Sequence, residues 1–116
     1  MRTLPEPTVG EVWDINFDPV VGHEQGGFRP ALVVSNNPFN ETPHGLCIVA
    51  PITGTIRDVP SQIEVAAVEG GLTKRSVIMC EQVRSASLLR FRRQRGAVSD
   101  RTLALVQATV ARFIDY

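Results

Sequence analysis

The sequence predicts a small, mostly antiparallel β sheet, curled or closed into a barrel and followed by one C-terminal helix. Short runs of β-branched and aliphatic residues, separated by Gly, Pro, Asn and Asp, recur along most of the chain. One run, residues 46–52, is apolar at nearly every position, which is typical of a central strand. Residues 103–114 instead repeat apolar side chains every three or four positions, as an amphipathic helix does.

The first strand is predicted over residues 9–17, where Trp13, Ile15 and Phe17 share one face and polar residues the other. Asp18 and Pro19 indicate a turn, and Asn36 to Pro38 another. The other strands are predicted at residues 31–35, 46–52, 62–66, 76–80 with an extension to 83, and 96–98, with one helical turn within 86–92.

The helix is predicted to begin after Ser99, a favourable N-cap, with Asp100 at the positive end of the helix dipole. It should be about 15 residues, or roughly 23 Å, long. Its core-facing side chains are expected to be those of Leu103, Val106, Val110, Phe113 and Ile114.

The composition is that of an ordinary globular protein, with 43% hydrophobic and 21% charged residues. A chain of 116 residues predicts a single domain, residues 1–116. We find no apolar run of membrane-spanning length and no N-terminal signal peptide, so we expect a cytoplasmic protein that does not bind a membrane. Cys47 and Cys80 lie in apolar runs and are expected to be reduced, and the chain has no zinc-binding pattern.

The charge is unevenly distributed along the chain. Residues 1–60 carry three basic and seven acidic residues, a net charge of −4, and residues 61–116 carry nine basic and five acidic, a net charge of +4. Arginines at 84, 90, 92, 93 and 95 have no acid between them. Because the guanidinium group matches phosphate geometry, this cluster indicates either a restricted anion-binding site or simply a solvated arginine face.

The polar segment from residue 22 to residue 29 is the strongest functional signal. It contains Glu24 and ends at Arg29, which Pro30 holds in an extended conformation at the start of an apolar strand. Thr53 follows the predicted central strand and is expected at the same end of the sheet. A carboxylate, a guanidinium and a hydroxyl suit phosphodiester transfer in RNA, where the 2′-hydroxyl is the nucleophile and no metal or other cofactor is needed.

Each of these residues also has a plain structural interpretation. Glu24 and Arg29 could form an exposed ion pair, and Thr53 could hydrogen-bond nearby backbone. His23 and His44 could simply face solvent. Trp13 and Phe17 are expected in the core rather than in a platform that stacks on bases.

Seven short motifs occur in the same order in a known protein family. They are Gly-Glu-Val-Trp at 10–13, Phe-Asp-Pro at 17–19, Gly-His-Glu-Gln at 22–25, Arg-Pro-Ala-Leu-Val-Val-Ser at 29–35, Phe-Asn at 39–40, Pro-Ile-Thr at 51–53 and Glu-Gln-Val-Arg-Ser at 81–85. In this order they resemble the MazF/PemK toxins of toxin–antitoxin pairs. The resemblance implies an SH3-like small barrel of the CcdB/PemK type, a homodimer, a MazE-like antitoxin partner, and a metal-independent, sequence-specific endoribonuclease. Such enzymes cleave single-stranded RNA to 2′,3′-cyclic phosphate and 5′-hydroxyl ends.

The resemblance also implies roles for individual residues. Arg29 and Thr53 match the catalytic arginine and threonine of the MazF branch, and Glu24 matches the carboxylate implicated with them. His23 matches a histidine that the PemK branch uses as an acid or base, and we group it with Gln25, Glu81 and Gln82 as RNA-binding candidates. The PemK branch has an arginine where this chain has Met79, and that difference favours Arg29 and Thr53 as the catalytic pair.

Two other functions remain open at this stage. A CcdB-like toxin of the same fold poisons gyrase by binding it, through a C-terminal helix whose end is aromatic, and this chain ends in Phe113 and Tyr116. The segment around Glu24 and Arg29 has no purpose in that mechanism. A small barrel that binds a peptide in its groove is the other alternative.

Overall fold

In the computed structural model of the chain, residues 4–17 and 27–114 are described. The strands are β1 (Glu11–Asn16), β2 (Phe28–Val33), β3 (Leu46–Thr53), β4 (Gln62–Val65), β5 (Ser76–Met79), β6 (Arg84–Ser87) and β7 (Phe91–Ala97). The α-helices are α1 (Asn37–Asn40) and α2 (Asp100–Ile114), and turns of 3₁₀ helix lie at Glu69–Gly71, Cys80–Gln82 and Leu88–Arg90. The prediction of a mainly β fold with a C-terminal helix is confirmed.

The strands form one antiparallel sheet in the order β4-β5-β3-β2-β1-β7, and β6 also pairs with β3. One edge of β3 therefore has two partners. Residues 46–49 of β3 pair with β6, and Ile52 and Thr53 pair with β5. The 3₁₀ turn Cys80–Gln82 carries the chain from one half of this edge to the other, so its residues lie beside the part of β3 between Val49 and Ile52.

The central strands bury side chains on both faces, which explains their nearly continuous apolar sequences. On β2, Leu32 belongs to one core cluster, while Ala31 and Val33 belong to a second. The first cluster also contains Val106 of α2. Trp13 and Phe17 are partly buried against the second cluster, as predicted.

Strand β2 begins three residues earlier than predicted, so Arg29 and Pro30 lie within it. The pairs between β2 and β3 run only from Ala31–Pro51 to Val33–Val49, whereas β2 continues to pair with β1 as far as Phe28. Proline has no N–H to donate, and it is tolerated where a strand lacks a partner on one side. Beyond Ala31 the two strands β2 and β3 therefore separate.

The predictions for residues 76–98 are partly wrong. Strand β5 ends at Met79 instead of continuing to residue 83, and β6 was not predicted. The helical turn within 86–92 is confirmed as the 3₁₀ turn Leu88–Arg90, but the last strand, β7, is longer than predicted. Most of β7 is exposed and rich in arginine, so its sequence lacks the apolar alternation by which strands are recognised.

Helix α2 begins after Ser99, as predicted, and the Ser99 hydroxyl accepts a hydrogen bond from the N–H of Thr102 at 3.1 Å. Val106 is buried, and Leu103 and Val110 pack against the core. Phe113 and Ile114 are 50% and 75% exposed, so the expectation that they face the core is wrong for the single chain.

Both cysteines are free and buried. Burial raises the pKa of Cys47 to about 11, so its thiol is unreactive at neutral pH. Across the described ranges, neither helix has the length and apolar character needed to span a bilayer.

Candidate active site

Arg29 and Thr53 meet where β2 and β3 separate. Each residue lies two positions beyond the last pair between the strands, Ala31–Pro51. Side chains two apart on a strand share a face, so both residues project on the side of Ala31 and Pro51. The expectation that Arg29 and Thr53 lie at the same end of the sheet is confirmed, and both line the same cavity.

The Thr53 hydroxyl is oriented by its own loop. Its oxygen accepts a hydrogen bond from the backbone N–H of Thr55 at 3.2 Å. This is the local backbone contact expected of a threonine after a strand, but it uses only the acceptor capacity of the oxygen. The hydroxyl hydrogen remains available to donate to a ligand in the cavity.

The cavity shared by Arg29 and Thr53, here called the Glu81 cavity, has a volume of about 420 Å³. It brings together Arg29, Thr53, Glu81 and Gln82, which are all of the predicted site residues that the structure describes. Its remaining lining residues are Thr55, Arg57, Val59, Gln62 and Met79. A larger cavity of about 630 Å³ lies between the N-terminal residues and the α1 region, but none of the predicted site residues lines it.

Glu81 is held by two neighbouring side chains. Its carboxylate accepts hydrogen bonds from the Ser61 hydroxyl at 2.7 Å and from the Gln62 amide at 2.9 Å. Partial burial acts to raise the pKa of Glu81, but the hydrogen bonds from Gln62 and Ser61 outweigh it and the pKa lies below its usual range. Glu81 is therefore ionised at neutral pH and offers fixed acceptor oxygens at the cavity wall.

Gln62 has a second polar atom in the same region. While its amide nitrogen donates to Glu81, its amide oxygen is buried and has no hydrogen-bond partner among the described residues. Met79 lies directly across the β4–β5 ladder from Gln62 and lines the cavity where the PemK branch has an arginine. Arg57 is an additional cation that lines this cavity, and no pattern in the sequence distinguished it.

Three predicted residues, His23, Glu24 and Gln25, lie outside the described residues. His44 is described, and its Nδ1 accepts a hydrogen bond from the N–H of Leu46 at 3.0 Å while its ring packs against Phe39. His44 therefore has a structural role at the start of β3.

The arginine cluster is divided among several contacts. Arg93 and Arg95 both pair with Asp14, at 3.5 and 3.1 Å. Arg84 lies over the ring of Phe17 and Arg92 over the ring of Phe28. Because one carboxylate faces two of the five arginines, the cluster is less positive than its sequence implies.

A second cavity, here called the Lys74 cavity, adjoins the first and has a volume of about 250 Å³. Arg29 and Thr53 line both cavities. Lys74 and Arg95 add positive charge on this side, and Thr73 and Ser76 add hydroxyls. Lys74 was not predicted from the sequence, because a single lysine two residues before a strand has no distinguishing pattern.

The two cavities offer the groups needed to bind a phosphodiester. Arg29 offers the phosphodiester a fork of N–H donors, and Thr53 offers it a hydroxyl donor. The Glu81 carboxylate offers acceptors to donor groups elsewhere on the same ligand, such as those of a base edge. No group of three or more His, Cys, Asp or Glu side chains suited to a metal ion is found within residues 4–17 and 27–114.

Comparisons with known proteins agree on one family. Residues 8–114 match the model of the family described as "PemK-like, MazF-like toxin of type II toxin-antitoxin system". The chain is 35% identical over 111 residues to endoribonuclease MazF9 of Mycobacterium tuberculosis, covering 91% of this chain and 94% of that protein.

Solved structures give the same result for the fold. The crystal structure of MazF from Deinococcus radiodurans (Form-I) superposes with a TM-score of 0.78 at 30% identity, covering 95% of this chain and 97% of the other. A MazE–MazF crystal structure from the same organism (Form-II) gives 0.80 at 28% identity, covering 95% and 96%. The resemblance found in the sequence is thus confirmed, and the CcdB-like alternative is not favoured. The chain belongs to the family of PemK-like, MazF-like toxins of type II toxin–antitoxin systems.

Proposed function

We propose that this protein is the toxin of a toxin–antitoxin pair and a metal-independent endoribonuclease that cleaves single-stranded RNA at specific sequences. The observation that carries the proposal is the meeting of Arg29 and Thr53 at the fork between β2 and β3, in a cavity that Glu81 also lines. Relatives named as endoribonucleases, MazF9 among them, support the same activity.

In this mechanism the 2′-hydroxyl oxygen attacks the adjacent phosphorus and its proton passes to a base. The extra negative charge develops on the phosphate oxygens, where Arg29 donates bidentate hydrogen bonds and Thr53 donates one from its hydroxyl. The bond from phosphorus to the 5′-oxygen then breaks, and that oxygen takes up a proton. The products are a 2′,3′-cyclic phosphate and a 5′-hydroxyl.

His23 and Glu24 are the candidates for proton transfer. An ionised Glu81 could accept a proton in principle, but its oxygens already accept hydrogen bonds from Ser61 and Gln62. Such a fixed carboxylate is better suited to accept hydrogen bonds from a base edge. We therefore assign Glu81 and Gln82, with His23 and Gln25, to RNA binding and sequence recognition.

The chemistry is tested with a long single-stranded RNA and the purified protein in EDTA. We expect cleavage to persist, the products to carry 2′,3′-cyclic phosphate ends, and RNA with 2′-deoxy substitution at the mapped cut site to resist. Loss of cleavage in EDTA, or equal cleavage of the deoxy substrate, would refute this mechanism.

We also propose that the functional unit is a cytoplasmic homodimer inhibited by a MazE-like antitoxin. Large apolar side chains on α2 stay exposed in the single chain, among them Leu105, Phe113 and Ile114, and a second copy is a partner that could cover such surface. A MazF from Deinococcus radiodurans crystallised together with a MazE. The antitoxin tail is expected to be partly acidic and disordered when free, and to cover the arginine-bearing surface.

Two measurements test these partners. Sedimentation velocity at micromolar concentration should give the mass of a dimer, and a monomer would contradict the proposal. Saturating cognate antitoxin should abolish RNA cleavage, and persistent activity in its presence would exclude occlusion of the active site.

A further inference from the structure

Lys74 is the only lysine in the chain. Within the described ranges, no carboxylate lies within ion-pair distance of its ammonium group. The next residue, Arg75, differs in this respect because it pairs with Glu64 at 2.9 Å. Among the described residues, Lys74 is therefore a cation without an acidic partner, and it lies at the edge of the candidate active site.

Gly54 leaves the space that this ammonium group occupies. A Cβ atom added at Gly54 would lie 2.2 Å from Cε and 2.7 Å from Nζ of Lys74, so any larger residue would displace the lysine. Gly54 does not have a positive φ, so its backbone conformation does not require glycine. What glycine provides here is room for Lys74 to lie against the backbone directly after Thr53.

The surroundings of Lys74 favour an anion. None of the described residues that line the Lys74 cavity is acidic, and Arg29, Thr53 and Thr73 line it with Lys74. Arg95 also lines it, but its guanidinium group already binds Asp14 and the carbonyl oxygen of Gly71. Among the described lining residues, the positive charge left for a ligand is thus that of Lys74 and Arg29.

We infer that Lys74 binds a second phosphate of the RNA, next to the phosphate that is cleaved between Arg29 and Thr53. This inference rests on the proposed ribonuclease function. Arg29 and Thr53 line both cavities, so an RNA backbone that crosses them can present one phosphate to the Arg29–Thr53 pair and the next to Lys74. Lysine is a compact point charge without bidentate geometry, so this contact positions the backbone and carries no sequence information.

The first test compares Lys74→Ala with Arg75→Ala, which removes the same charge one residue further along, outside both cavities. We expect Lys74→Ala to raise the KM for a cleavable RNA about five- to tenfold with kcat nearly unchanged, and Arg75→Ala to leave KM within about twofold. The slope of log(kcat/KM) against log salt should become shallower by about 0.7 for Lys74→Ala only. Equal effects of the two variants on KM and on the salt slope would overturn the inference. They would show that the two positive charges attract RNA nonspecifically and that Lys74 makes no phosphate contact of its own.

A second variant tests the role of Gly54. Gly54→Ala should raise KM as Lys74→Ala does, because its new methyl group displaces the ammonium. In a Lys74→Ala background the same change should add nothing further. An equal additional loss in that background would mean that Gly54→Ala acts through Thr53, and would overturn the proposed role of Gly54 in placing Lys74.

Inorganic phosphate provides a readout independent of RNA cleavage. Titrating millimolar phosphate should shift the backbone amide resonance of Thr73 in the wild-type and Arg75→Ala proteins, and this shift should vanish in Lys74→Ala. If the protein binds phosphate in this way but cleaves no RNA, the anion site stands and the proposed function is refuted. A protein that cleaves RNA but shows no Lys74-dependent shift would refute the anion site alone.

Discussion

Arg29 and Thr53 lie two residues beyond Ala31–Pro51, the last pair between β2 and β3, on the same face of the sheet. At this point β2 continues with β1 and β3 continues with β5, so the two strands separate and a cavity opens between their side chains. Both residues remain fixed by paired strands while they face open space. This is a favourable arrangement for groups that must be held in place before a reaction begins.

Arg29→Ala should reduce the single-turnover cleavage rate by about 10²–10³-fold, as expected for loss of a donor to charge that forms in the transition state. RNA affinity should change little, and Arg29→Lys should recover little because lysine lacks the bidentate fork. Circular dichroism should show an intact fold, since Arg29 is exposed. Arg75→Ala is the matched control, and an Arg29→Ala protein that cleaves within threefold of wild type would remove Arg29 from the catalytic residues.

Thr53→Val should lower kcat by about 10- to 100-fold, because it removes one hydrogen bond to a charged group while keeping the side-chain shape. Thr53→Ser keeps the hydroxyl and should stay within about threefold of wild type. The two rates are compared under saturating RNA. If Thr53→Val and Thr53→Ser are equally active, the Thr53 hydroxyl has no catalytic role. Its function is then only to hold its loop, by accepting the hydrogen bond from the N–H of Thr55.

Glu81→Gln should change which RNA sequences are cut. The amide replaces one acceptor oxygen by a donor, and a lost base contact of this kind costs about 1–3 kcal/mol for the preferred base. Cleavage sites mapped by primer extension over a long RNA should therefore redistribute, while Glu64→Gln, outside the Glu81 cavity, should leave the pattern unchanged. A uniform loss at all sites would indicate instead that Glu81 only holds Ser61 and Gln62 in place.

The free energy of unfolding should decrease in acid, in part because Glu69 becomes protonated. The hydroxyl of Thr102 lowers the pKa of Glu69 most, partial burial acts in the opposite direction, and hydrogen bonds from the Ser99 N–H and hydroxyl lower the pKa further. A carboxylate whose pKa is lower in the folded state stabilises the fold above its unfolded pKa of about 4.3 and loses that contribution as the pH falls through the folded value.

Urea denaturation at several pH values measures this effect. Between neutral pH and about pH 3, the free energy of unfolding should fall less steeply in Glu69→Gln than in wild type, because the variant has no proton to take up. Parallel curves for the two proteins would show that the contact between Glu69 and the start of α2 contributes nothing that depends on pH.

The sequence by itself determined the features that depend on neighbouring residues. The apolar run of β3 marked the central strand, Ser99 and the three- and four-residue spacing marked α2, and Pro30 marked an extended Arg29. The seven motifs identified the family, which the comparisons confirm. These signals are local because strand alternation, helix periodicity and capping each act within a few residues.

The tertiary structure alone decided which distant residues meet. Long-range pairing ends β5 at Met79 and begins β6 at Arg84, and it thereby places Glu81 in the same cavity as Arg29. Packing put Lys74 over Gly54, and it put Asp14 between Arg93 and Arg95, 79 and 81 residues further along the chain. No short-range pattern encodes such contacts, because each depends on strand register and on where the sheet separates rather than on the residues beside it in the sequence.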